Sequence, residues 1–307
     1  MVRPANVHGL VVIDKPAGIT SHDVVSRCRK IFGQRQVGHA GTLDPDATGV
    51  LLVGLGDATR LLRYLSESIK SYRATVCFGT ATDTLDAAGV VTETVDMHVT
   101  DLQIRHATQQ FEGEILQVPP MVSAIKIGGK RLHELAREGI EIAREARPVS
   151  IYRIEVEATQ CAAQPQTATM FVECSSGTYI RTLAADLGVA LGGVAHLESL
   201  RRLSVGAFGE HESRSLDEIA DLTIAAVLSP LEAVRSMPHF EPSAEQLAKI
   251  CNGSTFSSSE FLPVTLFDHP GPFAVRNARG DLVAVYERRD DPRGVKPAVV
   301  LAHAVAQ

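Results

Sequence analysis

Over residues 151–158 apolar and charged side chains alternate strictly, with Tyr152, Ile154, Val156 and Ala158 on one side and Arg153, Glu155 and Glu157 on the other. A period of two is the mark of a strand with one wet face. Residues 168–174 read as its hairpin partner across a loop that contains Pro165, and immediately afterwards Ile180, Leu183, Ala184, Leu187 and Leu191 recur at helical spacing. The same irregular mixture runs through the rest of the chain. A valine-rich strand over residues 9–13 is stopped by Lys15-Pro16-Ala17-Gly18, and a helix follows, capped by Thr20 or Ser21 and closed by Gly33, with Val24, Val25, Cys28, Ile31 and Phe32 on one face. Residues 72–78 form a strand, and Thr100-Asp-Leu-Gln103 and Ser215-Leu-Asp-Glu218 are capping boxes that each start a helix. With no βαβ rhythm and no internal repeat, the expected fold is α+β with a mixed, largely antiparallel sheet.

Near Met237-Pro238 the character changes: a helix capped at Ser243-Ala-Glu-Gln246 is followed by short apolar runs broken by Pro263, Pro270-Gly271-Pro272 and Gly280. This predicts a main domain over residues 1–237 and a small, mainly β domain over residues 238–307.

Hydrophobic residues make up 45% of the 307, enough for a sizeable core, and no window approaches the roughly 18 apolar residues of a membrane span. The first eight residues lack an export signal, so a cytoplasmic location is expected. Cys28, Cys77, Cys161, Cys174 and Cys251 are scattered without a CxxC pair, which points to reduced thiols rather than zinc or redox chemistry. The net charge of −6 weighs against a nucleic-acid partner, yet basic residues cluster at Arg27, Arg29, Lys30 and Arg35, at Lys126, Lys130, Arg131 and Arg137, and at Arg201 and Arg202. Each cluster alone reads as a solvated face.

The densest chemical signal is Gly38-His-Ala-Gly-Thr-Leu-Asp-Pro-Asp-Ala-Thr-Gly49, a glycine-rich loop around one aspartate. Composition alone reads Asp44-Pro45 as the start of a turn. This segment, however, resembles the signature of TruB-type pseudouridine synthases, with His39 five residues before Asp44. The resemblance continues in Ile13-Asp-Lys-Pro-Ala-Gly-Ile-Thr-Ser21, Lys70-Ser-Tyr-Arg73, Gly79-Thr-Ala-Thr-Asp-Thr-Leu-Asp86, Val118-Pro-Pro-Met-Val-Ser-Ala-Ile-Lys126, Ser176-Gly-Thr-Tyr-Ile-Arg181 and His196-Leu-Glu-Ser-Leu-Arg-Arg202. It covers about the first two-thirds of the chain, while the C-terminal part matches only weakly the PUA-like domains that many members of the family carry.

The resemblance implies a catalytic domain of pseudouridine synthase type that isomerises uridine 55 in the T loop of tRNA by base flipping, without a cofactor. Asp44 is the implied catalytic carboxylate, acting at the sugar or at the base, with Arg181 as its partner and Tyr72 stacking on the target base. His39 is implied to enter the T loop and fill the space the base leaves, Asp86 to contact substrate, and Tyr179 to line the pocket. Lys15 either touches phosphate or holds its own turn. An inserted basic flap over residues 119–148, carrying Lys126, Lys130 and Arg131, closes over the T arm, and Arg202 completes the substrate-binding set. The expected partner is tRNA, represented by its T-arm stem-loop, bound by a monomer with no metal and no membrane. The main alternative is an RNA-binding protein or tRNA folding chaperone that holds the T arm without modifying it. A metal-dependent hydrolase lacks a clustered ligand set.

Overall fold

The computed structural model describes residues 7–123, 125–127, 129–140, 142–289 and 294–301, and of residues 126, 127, 131, 133 and 137 it describes the backbone only. The strands and helices are, in chain order, β1 (Gly9–Lys15), α1 (Ser21–Ile31), β2 (Val37–Ala40), β3 (Thr48–Leu55), α2 (Leu62–Ser66), β4 (Lys70–Phe78), β5 (Thr80–Thr82), β6 (Val91–Thr94), α3 (Asp101–Gln109) and β7 (Gly113–Gln117). Then come β8 (Lys126–Ile127), β9 (Lys130–Arg131), α4 (Leu132–Arg137), β10 (Arg147–Gln160), β11 (Thr167–Cys174), α5 (Ile180–Ala190), β12 (Ala195–Val205), β13 (Phe208–Gly209) and α6 (Leu216–Leu222). The chain closes with β14 (His239–Phe240), α7 (Ala244–Cys251), β15 (Phe256–Ser257), α8 (Ser258–Phe261), β16 (Phe273–Arg276), β17 (Leu282–Arg288) and β18 (Gly294–Val300).

A nine-stranded sheet in the order β1-β3-β12-β4-β11-β10-β7 dominates, with β2 and β13 as side branches. Its pairings are antiparallel except for a short parallel contact between β12 and β3. The mixed, largely antiparallel α+β sheet expected from the sequence is present. Thr20, rather than Ser21, caps α1 through a capping box with Asp23, and the boxes at Thr100, Ser215 and Ser243 all form. Each cap satisfies amide groups that helix geometry leaves free, worth about 1 kcal/mol.

The strict alternation over residues 151–158 does not survive intact. Bulges interrupt β10 between Ile151 and Arg153 and between Val156 and Ala158. Each adds a residue and reverses the facing, so Ile151, Ile154 and Val156 are buried together while Tyr152 and Ala158 turn outward.

The uninterrupted apolar runs of β1 and β3 have a different cause: both faces are covered. Val11, Ile13, Leu51 and Val53 pack against Val24, Val25 and Cys28 of α1 and Leu216 and Ile219 of α6. On the opposite face Leu10, Val12, Val50 and Leu52 join Leu61, Leu62 and Leu65, and the same cluster includes Ala274, Leu282, Val285 and Val299 from the C-terminal strands. Each such side chain, fully buried, contributes about 1.5–3 kcal/mol. A third cluster holds β4, β10, β11 and β12 against α3 and α5.

The C-terminal five-stranded sheet, β14-β16-β17-β18-β15, is the small, mainly β unit expected from the sequence. Its second face packs on Ile250, Phe261 and Leu262. It is fastened to α2 and the turn before it: Arg60 donates to the Val300 carbonyl at 2.6 Å, and Arg63 and Tyr64 both meet the Glu287 carboxylate.

Candidate active site

Along one edge, β3 changes partner. Its C-terminal half pairs with β2, from Ala40 opposite Leu52 to Val37 opposite Leu55, whereas its first two residues, Thr48 and Gly49, pair with Arg201 and Arg202 of β12. Residues 41–47 leave β2 and enter β3 where these two neighbours diverge, so the sheet itself opens the cleft in which Asp44 stands. Gly49 permits the close approach of β12: a Cβ there would lie 2.2 Å from the Arg202 carbonyl oxygen, and its φ of +101° is one that side chains avoid.

The loop is held from several sides. The fully buried Lys15 ammonium donates to the carbonyls of Pro16 (2.8 Å), Ile19 (2.7 Å) and Pro45 (2.8 Å). Burial lowers its pKa to about 8. Ser21 accepts from the Leu43 amide at 2.9 Å and donates to the Leu43 carbonyl at 3.1 Å, and the Gly18 amide reaches the Pro45 carbonyl at 3.0 Å. Lys15 therefore holds its turn and the Asp44 loop; with no exposed surface it does not present itself to phosphate.

Arg181, in the first turn of α5, meets Asp44 at two points, an ion-pair contact of Nε with Oδ2 at 3.1 Å and a hydrogen bond from Nη2 to Oδ1 at 3.4 Å. The guanidinium also donates to the carbonyls of Val122 (2.7 Å) and Thr84 (3.0 Å) and forms an ion pair with Asp86 Oδ2 at 3.4 Å. Asp86 is in turn oriented by the Thr84 hydroxyl at 2.6 Å. The Arg181 side chain is 5% exposed and that of Asp44 42%, so the cation is locked while the carboxylate looks into open space. That space is recessed. Enclosure by the protein raises the Asp44 carboxyl above its ordinary 3.8, with Arg181 pulling it down and Asp86 pushing it up.

Two cavities of about 270 Å³ each share Asp44, Arg181 and Leu200 as a common wall. The first is floored by Lys70, Tyr72 and Arg202 and closed by Ser123, Thr178 and Tyr179. The second, more apolar, is bounded by Ala47, Asp86, Val122 and Leu197. Tyr72 is 7% exposed, and burial raises its phenol pKa while the Arg202 guanidinium beside it acts in the opposite sense.

Asp44, Tyr72, Arg181, Asp86 and Tyr179 thus come together, from separate motifs scattered along the chain. Other expected contacts sit differently. Arg202 is completely buried, donating to the carbonyls of Val50 (2.7 Å), Gly41 (3.1 Å) and Thr42 (3.5 Å); it lies under the loop instead of on a surface patch. Its neighbour Arg201 is paired with Asp14 and Glu210. His39 belongs to β2, opposite Val53, rather than to a loop, and lines neither cavity. Its Nδ1 is buried without a hydrogen-bond partner, and burial lowers its pKa, so the ring is neutral at pH 7. Lys130 is exposed and paired with Glu138 at 3.1 Å. The expectations for the Lys126 and Arg131 side chains lie outside the described residues. Among the described residues no three His, Cys, Asp or Glu groups gather as a metal site, no helix is long and apolar enough to cross a membrane, and all five cysteines are free.

Residues 29–180 match the model of the N-terminal domain of TruB family pseudouridylate synthases, and residues 181–235 match that of the tRNA pseudouridylate synthase B C-terminal domain. The chain is 45% identical to tRNA pseudouridine synthase B of Mycobacterium sp. (strain KMS) over 297 residues, 96% of this chain and 97% of that protein. The chain belongs to the TruB family. The corresponding protein of Mycobacteroides abscessus is 46% identical over 255 residues, 82% of this chain and 86% of the relative. Among solved structures, a Cbf5-Nop10-Gar1 complex matches with a TM-score of 0.75 and 26% identity, over 97% of this chain and 86% of that one. An H/ACA RNP bound to a substrate RNA shares the fold at a TM-score of 0.71 and 24% identity, over 95% and 83% of the two chains. As a TruB family member the chain is a pseudouridine synthase, an isomerase acting on tRNA. Sequence reasoning gave Lys70 no part although it stands in the Lys70-Ser-Tyr-Arg73 motif, and it missed Thr84 and Val122, whose contribution is a backbone carbonyl and leaves no side-chain signal.

Proposed function

We propose that this enzyme converts uridine 55 of the tRNA T loop to pseudouridine, with Asp44 as the reacting carboxylate. The observation that carries the reading is the two-point contact of the buried Arg181 with Asp44, an ion pair at 3.1 Å and a hydrogen bond at 3.4 Å, on the wall of a cavity lined by Tyr72. The reaction breaks the bond from N1 to C1′, turns the base and joins C5 to C1′. It needs a charged carboxylate at the reacting centre and a surface that keeps the detached base. Arg181 keeps Asp44 aimed, and the Tyr72 ring offers a face for the extruded uracil, worth about 1–3 kcal/mol of stacking. Tyr179 closes the same cavity and Asp86 orients Arg181. His39, half-buried near the end of β2, is suited to filling the gap in the T loop once the base has left.

The test is to map pseudouridine in tRNA from cells with and without this protein and from cells carrying only Asp44→Asn. Loss of the modification at position 55 in the deletion and in the Asn variant, with tRNA affinity of the variant kept within a few-fold, is the expected outcome. Near-parent turnover by Asp44→Asn overturns the assignment. The same variant tests a chaperone role, since tRNA refolding that persists without modification is a property of binding alone.

A further inference from the structure

The floor of the Tyr72 cavity contains two cations whose bonding partners are all neutral. Lys70 is 6% exposed and Arg202 0%. The Lys70 ammonium donates to the carbonyls of Ser66 and Ser68, both at 2.8 Å. Arg202 has the carbonyls of Val50, Gly41 and Thr42 and the phenol of Tyr72. The thiol facing Lys70, Cys174, is held up at about 11 by burial and is uncharged at pH 7. Burial and the repulsion of Arg202 bring Lys70 down to about 8, which still leaves it mainly protonated at pH 7. The two positive groups meet beneath Gly41, where a Cβ would lie 3.3 Å from Lys70 Cε and 3.4 Å from Arg202 Nη1.

Elsewhere around the site, buried cations have carboxylates near them: Arg181 has Asp44 and Asp86, and Lys15 feels Asp46 and Asp44. A carbonyl satisfies a donor but cancels no charge, and buried charge without a counter-charge is costly. Lys70 and Arg202 therefore leave a net positive field in the cavity, set before any ligand arrives. A backbone phosphate is a poor match for it, because a bulky hydrated phosphodiester stays at the mouth while these groups lie at the floor. What reaches the floor is a base.

We propose that Lys70 and Arg202 stabilise the negative charge that uracil acquires while it is detached from the sugar. Breaking N1–C1′ leaves the bonding pair on the ring, spread over N1 and the two carbonyl oxygens. Joining C5 to C1′ returns a pair to the sugar carbon; the proton on C5 then departs and N1 ends protonated, so the isomerisation closes without any other reactant. Preorganised charge of this kind acts on the transition state more than on bound substrate. The inference rests on the reading that this cavity receives the target uridine.

The experiment compares affinity and single turnover, followed on both substrates as breakage of N1–C1′ because 5-fluorouracil has no C5 proton to release, for the parent, Lys70→Met and Lys70→Arg on a T-arm stem-loop carrying uridine or 5-fluorouridine at the target. Fluorine withdraws electrons and makes the uracil anion intrinsically more stable, so less depends on the protein. Lys70→Met should slow cleavage of N1–C1′ in uridine about 100-fold or more, the usual cost of one preorganised electrostatic group. Its Kd should stay within about threefold, and its loss on 5-fluorouridine should be at least about tenfold smaller, the pattern of an interaction made only in the transition state. Lys70→Arg, which keeps the charge, should recover most of the rate. An equal loss on both substrates, or a loss confined to Kd as for a phosphate contact, overturns the proposal. If the Met variant fails to fold, Lys70→Gln, which keeps donors for the Ser66 and Ser68 carbonyls, decides by the same comparison. The two readings fail separately: an active Asp44→Asn variant removes the reading of the site, whereas an inactive one with equal losses at Lys70 removes only this inference.

Discussion

The Lys15 ammonium donates to the Pro45 carbonyl at 2.8 Å, joining the end of β1 to the residue next to Asp44. The contact converts the first strand of the chain into a brace for the reacting loop. Lys15→Met, similar in length but without donors, leaves three carbonyls unsatisfied and should cost about 2–4 kcal/mol of stability. Chemical denaturation measures that cost, and single-turnover rates should fall more than tRNA affinity. Parent-like stability and rate together would show that the brace is dispensable.

Acid should silence the enzyme at a higher pH than an ordinary aspartate predicts. Enclosure raises Asp44 above 3.8, and the Asp86 charge raises it further. The ionised form is full above that raised pKa and disappears as pH falls through it. In Asp86→Asn one raising influence is gone, so the acid limb of the single-turnover profile should move to lower pH. A limb that stays in place would separate Asp86 from the ionisation of Asp44.

Affinity for tRNA should fall steeply with salt in spite of the net charge of −6, because local clusters displace counterions from RNA. Replacing Lys126, Lys130 and Arg131 together with Ala should flatten the plot of log Kd against log salt by about 0.7–0.9 for each phosphate that is no longer neutralised. A filter-binding series over several salt concentrations reads this slope. No change in it would place the residue 119–148 insertion away from phosphate.

Gly49→Ala should be severe for a backbone reason. The substituent would overlap the Arg202 carbonyl and must adopt a φ of +101°, so we expect about 2–4 kcal/mol of destabilisation. Thermal melts give the loss, and the β3–β12 pairing should lose amide-exchange protection first. A melt within error of the parent would contradict the close approach of the two strands.

Much of the scaffold was legible because its signals are local. The capping boxes at Thr100, Ser215 and Ser243 and the stripe from Ile180 to Leu187 depend on residues three or four apart. A two-residue period misplaces Tyr152 and Ala158, because a bulge depends on the partner strand and leaves no mark on that period. For the site, Asp44-Pro45 taken alone looked like a turn, and only several motifs in one order raised it above that. Arg202 sat beside Arg201 in a pair that looked like a basic surface patch, yet one is sealed under Gly41 and the other is neutralised by Asp14 and Glu210. Whether a cation is free depends on which carboxylates the fold brings close, and sequence order does not carry that information.

The C-terminal strands join the apolar cluster of β1 and β3 alongside Leu61, Leu62 and Leu65, and are fastened to α2 and the turn before it. Cutting the chain after Pro238 would therefore not release an accessory module; it would remove Ala274, Leu282, Val285 and Val299 from the apolar cluster that backs the strand carrying Lys15. A segment far from the reacting carboxylate serves as its buttress, and damage there should be felt first as a blunted rate and only afterwards as a loss of RNA binding.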